Sequence, residues 1–403
     1  MKKILTIALC FAAVGSAFAQ KTAVESAKKL SGKLDKLSEA RALIKQAMEN
    51  PETAQDPNTY FIAGKIEYDA FDNGYAKLRV NPADESVNKM DLAHQLIDGY
   101  NLFLMAMPLD QQPNEKGQVK PKYTKDMGGR ISAHHSDYFN YGGEMYNNKH
   151  FYPEAYQAFM IYGDIPSYEW AAKETKLVPD TTLALAYYYA GISAYSGNEL
   201  KDAIKALQKA RLKGITDPQS YVYEIASWQN LAQRDSTLVD ESKKQIEEIA
   251  SMGYQNFGIV QPLFINSLAS AMVDDEKYDA ALSLVNNQIG QTPDESILYS
   301  LRAWVYDRMG NDKAALEDYK KAVTFDDASI ETLNRAARRL YHQGTVEWNA
   351  IEGNNPAKRQ EVKTEYWDKA KTILERVLAQ DPGNPEAESI LDSVNYALDT
   401  YFR

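Results

Sequence analysis

Alanines at 269 and 281 recur at 303 and 315, 34 residues further on in both cases. A spacing that repeats at that length marks a chain built from like units stacked on one another. In the later copy, Ala315, Tyr319 and Ala322 follow one another at intervals of four and three between Asn311 and Ala322, which is one face of an α-helix. Upstream, Tyr299, Ala303 and Tyr306 mark a second helix, and Met309-Gly310-Asn311-Asp312 is a short turn between the two. The segment from Ser296 to about Asp327 therefore reads as a helical hairpin. Its small residues let the helices approach closely, and its large ones fill the gaps between them. The earlier copy carries Ile265, Met272 and Val285 at the large positions.

This order of a small residue, an aromatic, Ala-x-x-x-aromatic and a final small residue resembles the tetratricopeptide-repeat (TPR) pattern. The same template finds Tyr187, Gly191, Ala203, Leu207 and Ala210, closed by Asp217-Pro218, and Phe139, Gly143, Tyr146, Ala155 and Phe159, closed near Pro166. An N-terminal pair is marked by Ala63-Gly64 with Ala93 and Ile97, preceded by a helix from about Ser31 to Met48 that ends at Asp56-Pro57. Leu333, Ala336, Ala370, Leu374 and Val377 form a late copy, closed by Asp381-Pro382, and a stretched pair between Tyr221 and Gly253 would turn Tyr223, Ala226, Ile246 and Ala250 inward. The prolines read as helix stops. The resemblance implies an all-α fold, a right-handed superhelical solenoid of about six to seven degenerate hairpins over residues 20–403. The helix from about Pro385 to Tyr401, apolar at Ile390, Leu391, Val394 and Leu398, would serve as a C-terminal cap. No segment shows sustained period-two alternation, and 27 tyrosines supply large packing side chains.

The chain opens with Lys2 and Lys3, an apolar run from Ile4 to Val14 and small residues ending Ala17-Phe18-Ala19. That is the three-part pattern of a secretory signal peptide over 1–19, with Gln20 as the mature N-terminus. The run is too short for a membrane-spanning helix of roughly 20 residues, and nothing later is comparably apolar, so no transmembrane segment is expected. Cys10 follows a bulky Leu9 inside the apolar run, which does not suit lipid attachment. Once the leader is removed the chain has no cysteine, which excludes disulfides, thiol catalysis and Cys-ligated metal. The formal charge of −11 becomes −13 when Lys2 and Lys3 go. Such an acidic balance argues against nucleic acid as a partner.

Three stretches break the period: 71–88, with Asn73-Gly74 and Asn81-Pro82; 108–129, rich in Pro, Gly, Gln and Lys; and 344–365, with Gly353-Asn354-Asn355-Pro356. Insertions in a repeat array emerge as loops and are places for partner contacts. For chemistry the sequence offers little. His134 and His135 are adjacent, so on a helix they diverge by about 100° and do not share a metal even with Glu144 and His150 nearby. No HExxH, phosphate loop, GxSxG or dinucleotide fingerprint appears. Paired carboxylates such as Asp274-Asp275 are commonplace in a chain with 56 acidic residues. No catalytic residue, cofactor or metal is assigned.

The resemblance implies instead a groove lined by the first helix of each hairpin, where the family receives an extended peptide or helix. Carried over by position, its lining is Asn140, Glu144 and Asn147, then Tyr188 and Tyr195, then Asn266 and Ser270, and finally Trp304, Asp307 and Arg308. Tyr, Trp and Arg anchor interfaces, and Asn pairs with a peptide backbone through donor and acceptor together. Tyr188 and Tyr195 fit packing against the adjacent repeat equally well. The Lys/Asn clamp with which some TPR adaptors grip an acidic C-terminus is not matched. The function expected is a non-enzymatic scaffold or adaptor, exported to the periplasm or outer membrane of a Gram-negative cell, that holds protein or peptide partners of the cell envelope. The alternative is a glycan-binding protein similar to the SusD group. The anchoring cysteine and large non-TPR half of those proteins are missing here.

Overall fold

Aspartate-proline pairs set helix starts in this chain. Asp56 and Asp217 each accept a hydrogen bond from the backbone N–H two residues on, at 2.9 Å, and Pro57 and Pro218 occupy the first helical position. The first N–H groups of a helix lack partners within it, so a carboxylate cap with a proline behind it suits that end. Two of the pairs read from sequence as helix stops are thus caps of the helices that follow, whereas Asp381-Pro382 does end α18 at Gln380, and Asn384 caps the next helix.

The structure, a computed structural model, describes residues 22–402; the leader expected at 1–19, with Cys10, lies outside the described residues. Every regular element among them is helical, and the fold is an all-α array of helical repeats. The helices fall into two compact units divided between Leu238 and Val239. The first unit contains α1 (22–31), α2 (Leu37–Glu49), α3 (Pro57–Val80), α4 (Lys89–Asp110), α5 (Thr124–Ala133), α6 (His135–Asn147), α7 (Tyr152–Asp164), α8 (Asp180–Ser196), α9 (Leu200–Leu212) and α10 (Pro218–Arg234). The second contains α11 (Val239–Phe257), α12 (Pro262–Asp274), α13 (Tyr278–Gln291), α14 (Ser296–Arg308), α15 (Asp312–Ala322), α16 (Ile330–Asn349), α17 (Pro356–Val362), α18 (Asp368–Gln380) and α19 (Pro385–Tyr401). Packing runs mostly between sequence neighbours: α3 with α4, α6 with α7 and α8 with α9 in the first unit, and α12 with α13 and α14 with α15 in the second, where α16 passes over the short α17 to pack on α18.

The small and large positions do what the spacing predicts. A side chain at Gly191 would begin 2.5 Å from Leu207, its partner across the α8–α9 hairpin. In the second unit Ala303, Ala315, Tyr319 and Ala336 meet in one cluster, and Gly310 turns the chain at φ 73° between α14 and α15. Helix α19 matches the predicted bounds and buries Ile390 and Val394.

Three expectations need correction. In α6 the close approach is one residue earlier than predicted: Gly142 faces Phe159, whereas Gly143 stands open. The buried residues there are His135, Tyr138, Tyr141, Gly142 and Met145, because α6 packs on α4 as well as α7 and so buries more than one stripe. The pair expected between Tyr221 and Gly253 is split between the two units, α10 packing on α8 and α9 and α11 on α12. On α10 the buried face is Tyr221, Glu224, Ile225 and Trp228. It includes a glutamate that Arg211 meets at 3.3 Å, and that charged residue disguised the face in the sequence. The helix expected from about Ser31 to Met48 begins at Leu37 as α2, and a further helix, α1, precedes it and ends at Ser31; Val24 and Ala27 of α1 join Ala40, Ile44 and Ala47 of α2 against α3.

Of the stretches that break the period, 71–80 continue α3 and leave 81–88 as loop, Asp110 and Thr124 bound an exposed loop over 111–123, and α16, α17 and a wide π-type turn (Lys363–Trp367) occupy most of 344–365. Both carboxylate oxygens of buried Asp110 accept backbone N–H groups of Lys122, Tyr123 and Thr124 at 2.9, 2.8 and 2.7 Å, which closes the base of the second loop.

His134 and His135 diverge as the sequence predicts. His134 faces Asp137 at 2.9 Å and Asp72 at 3.3 Å. His135 lies against the ring of Tyr162, its Nε2 donating to the Tyr162 carbonyl at 2.8 Å. Burial lowers the His135 pKa from 6.5, against the opposing pull of that carbonyl. Below about pH 6.5 the unfolded chain therefore takes up a proton that the folded chain resists, so this stability is full above that pH and falls as the pH drops. Thermal melts at pH 7.5 and 5.5 are expected to show a drop in Tm that shrinks in His135→Gln. An equal drop in the variant would remove His135 as its source.

Candidate functional site

In the second unit hairpin packing takes up two sides of α14 and leaves the stripe between them over. In α14 Leu298, Leu301 and Val305 pack toward α12 and α13, and Ala303 packs toward α15 and α16. Ser300, Trp304 and Asp307 follow at helical intervals between these two sides. Helix α12 lies against α14, and α14 against α16, so the corresponding faces of three successive first helices adjoin within the second unit.

Two cavities open along them. The first, of about 270 Å³, is lined from α12 by Asn266 and Ser270, from α14 by Ser300 and Trp304 with apolar Ile297 and Leu301, and from α16 by Glu331, Thr332 and Arg335. The second, of about 400 Å³, is lined by Trp304, Asp307, Arg335, Arg338, Arg339 and His342, with Tyr319 behind them. Trp304 and Arg335 belong to both. The carboxamide oxygen of Asn266 is buried without a hydrogen-bond partner, an arrangement that costs free energy unless a donor is supplied. Asp307 is half-buried: burial pushes its carboxyl up, while Arg339 and a hydrogen bond from Tyr319 draw it down. Arg339 is the most enclosed of the guanidiniums, reaching Asp307 at 3.5 Å and Asp312 at 2.5 Å.

Of the residues the sequence assigned to a groove, the structure brings Asn266, Ser270, Trp304 and Asp307 together here. Arg308 is exposed at the end of α14 and lines neither cavity. In the first unit Asn140 and Glu144 line a separate cavity of about 250 Å³ with Tyr75, Leu78, Lys89 and Tyr141, and Lys89 meets Glu144 at 3.3 Å. Asn147 is exposed beyond it. Tyr188 packs on the main cluster of that unit, and burial pushes its hydroxyl up to about 12. Tyr195 sets its ring edge-on to Tyr223 at 5.2 Å and accepts a hydrogen bond from Asn230 at 3.4 Å. Both tyrosines spend their contact area inside the unit.

Sequence reasoning missed Ser300, Thr332, Arg335, Arg338, Arg339 and His342. The 34-residue period would have found two of them, because Asn266 maps onto Ser300, and Ser270 onto Trp304 and then Arg338. Among the described residues no group of three or more His, Cys, Asp or Glu is placed to hold a metal ion, and no helix is long and apolar enough to cross a membrane.

No family model matches the chain, and no curated protein matches it. Among solved structures it is similar to a tetratricopeptide repeat protein from Parabacteroides merdae ATCC 43184, at 12% identity over 87% of this chain and 98% of that one, with a TM-score of 0.33. It is also similar to the TPR domain of P58(IPK), at 10% identity over 94% of this chain and 99% of that one, TM-score 0.29. A third is YrrB, a TPR protein with an unusual peptide-binding site, at 15% identity over 53% of this chain and 97% of that one, TM-score 0.36.

Proposed function

We infer that this chain, an array of tetratricopeptide-type repeats by its 34-residue spacing and hairpin packing, is a non-enzymatic adaptor that holds a polypeptide partner on the α12, α14 and α16 faces of its second unit. The observation that carries this reading is the cavity between Asn266 and Arg335. It is lined by a half-buried tryptophan, aliphatic side chains, hydroxyls, the charged Glu331 and Arg335, and a carboxamide whose oxygen has no partner. A peptide backbone supplies N–H groups to such an oxygen, and Trp304 is the residue type that most often anchors an interface. The leader-like pattern at 1–19 supports export, and the partner is then a protein of the cell envelope, met in the periplasm or at the outer membrane of a Gram-negative cell.

The test is crosslinking of the tagged protein in cells that export it, followed by mass spectrometry. The mature chain is expected to begin at Gln20, and an intact N-terminus at Met1 would remove the envelope setting. Trp304→Ala is expected to reduce recovery of a defined partner by about tenfold or more. Trp304 also packs inside its unit, so Ser270→Lys, which fills the same cavity and leaves the packing intact, serves as the second variant. Undiminished recovery with both would move the site away from this face.

A further inference from the structure

We propose that the cavity beside Trp304 receives an acidic side chain, so that the preferred occupant of this groove is a polypeptide segment with an aspartate or glutamate next to an apolar or aromatic residue. This inference rests on the groove reading above and goes further by naming the chemistry of the segment.

The charge balance of the cavity runs against that of the chain. The protein carries a formal charge of −11, yet Arg335, Arg338, Arg339 and His342 line one cavity with a single carboxylate, Asp307. All four basic groups come from one helix, at positions one and one-turn apart, so α16 presents them together. Asp307 is half-buried and engaged by Arg339 and Tyr319, so it offsets Arg339 and leaves Arg335 and Arg338 to a ligand.

The three guanidiniums differ in how firmly they are held. Arg339, 13% exposed in its side chain, lies between Asp307 and Asp312, which neutralise it, so the positive charge open to a ligand is that of Arg335 and Arg338. Arg335 pairs with Glu331 one turn back on its own helix, the two side chains 38% and 70% exposed. Arg338 pairs with Glu386 of α19, at 63% and 42% exposed. Ion pairs this open to water are weak and readily exchanged. An incoming carboxylate can thus take the place of Glu331 or Glu386 and accept two parallel N–H donors from a guanidinium fork.

Trp304 and Arg335 line both cavities, which sets the order of features in the occupant. A segment whose backbone meets Asn266 and the hydroxyls of Ser270 and Ser300 passes over the Trp304 ring and reaches the arginines within a residue or two. A terminal carboxylate is not required, since the arginines stand beside the groove rather than closing its end. Nucleic acid offers anionic groups too, but four basic groups in an otherwise acidic chain do not make the extended footprint that phosphate backbones need.

The experiment is selection of a displayed library of random twelve-residue internal segments on the immobilised full chain and on two variants. One is Arg335→Glu/Arg338→Glu; the other, Arg335→Lys/Arg338→Lys, keeps the charge and controls for folding alongside circular dichroism. Wild type is expected to enrich segments with Asp or Glu beside Leu, Phe or Trp, and the Lys variant to retain much of that enrichment. The Glu variant is expected to lose the acidic bias, with affinity for a selected acidic peptide falling about tenfold or more and declining with salt in wild type. Soluble polyglutamate should compete and an oligonucleotide should not; the reverse would overturn the inference. Enriched segments without acidic bias, lost on Trp304→Ala, would overturn the acidic pocket and leave the groove standing. An absence of enrichment, or enrichment indifferent to Trp304→Ala and Ser270→Lys, would overturn both.

Discussion

Trp367→Ala is expected to destabilise the second unit by about 3–5 kcal/mol, the range for truncating a large buried aromatic. Trp367 closes the π-type turn Lys363–Trp367 and is 1% exposed. Its ring lies 5.4 Å from that of Trp348, 5.9 Å from Tyr401 and 6.1 Å from Phe402, so one side chain ties α16, the turn and the end of α19 together. Gly344 makes room for it: a Cβ there would sit 2.6 Å from the indole nitrogen. The same nitrogen is buried without a hydrogen-bond partner, which offsets part of what the ring contributes. Trp367→Phe, which keeps an aromatic ring and removes the unmet N–H, is therefore expected to cost less than about 2 kcal/mol. Urea midpoints followed by circular dichroism compare the three proteins. A loss under about 1 kcal/mol for Trp367→Ala would mean that the aromatic cluster does not hold this end of the unit.

The region around Trp367 also shows where the sequence stops being legible. The spacing of Ala303, Ala315 and Tyr319 predicts a hairpin because those residues pack against one another across it, and the pattern and the contacts are then the same fact. Residues 344–365 carry no such pattern. Their turn signals at Gly353 and Pro356 mark the loop before α17 correctly, but nothing local announces that Gly344 must be small for a tryptophan 23 positions later. Glu224 hid the inward face of α10 for a related reason: a charged residue reads as solvent-facing until its partner, Arg211 on another helix, is known. The site follows the same rule. Asn266, Ser270, Trp304 and Asp307 were legible because a repeat template marks the positions that packing leaves over. The arginines of α16 were not, because that helix was recognised only by its packed Leu333 and Ala336, and the face beside them matters only once α14 is placed against it.

Arg302→Leu is expected to cost about 3 kcal/mol, toward the low end for removing one member of a largely buried ion pair. Arg302 of α14 meets Asp318 of α15 through two parallel bonds of 2.7 and 2.8 Å, their side chains 21% and 11% exposed. It also reaches Asn286 of α13 at 2.6 Å. Losing the guanidinium strands the Asp318 carboxylate where water reaches it poorly. The double variant Arg302→Leu/Asp318→Leu should behave differently, and the chain itself says why. One period earlier the same two positions hold Leu268 and Leu284, packed in the buried and half-buried layers of the preceding hairpin. The hairpin geometry therefore accepts an apolar pair there, and removing both charges avoids the desolvation that a lone one suffers. The double variant is expected to fall within about 1 kcal/mol of wild type or to exceed it. Urea midpoints of the two single variants and the double complete the cycle. A double variant as unstable as Arg302→Leu would mean that this pair contributes attraction beyond what packing replaces, and that the two repeats are not interchangeable at these positions.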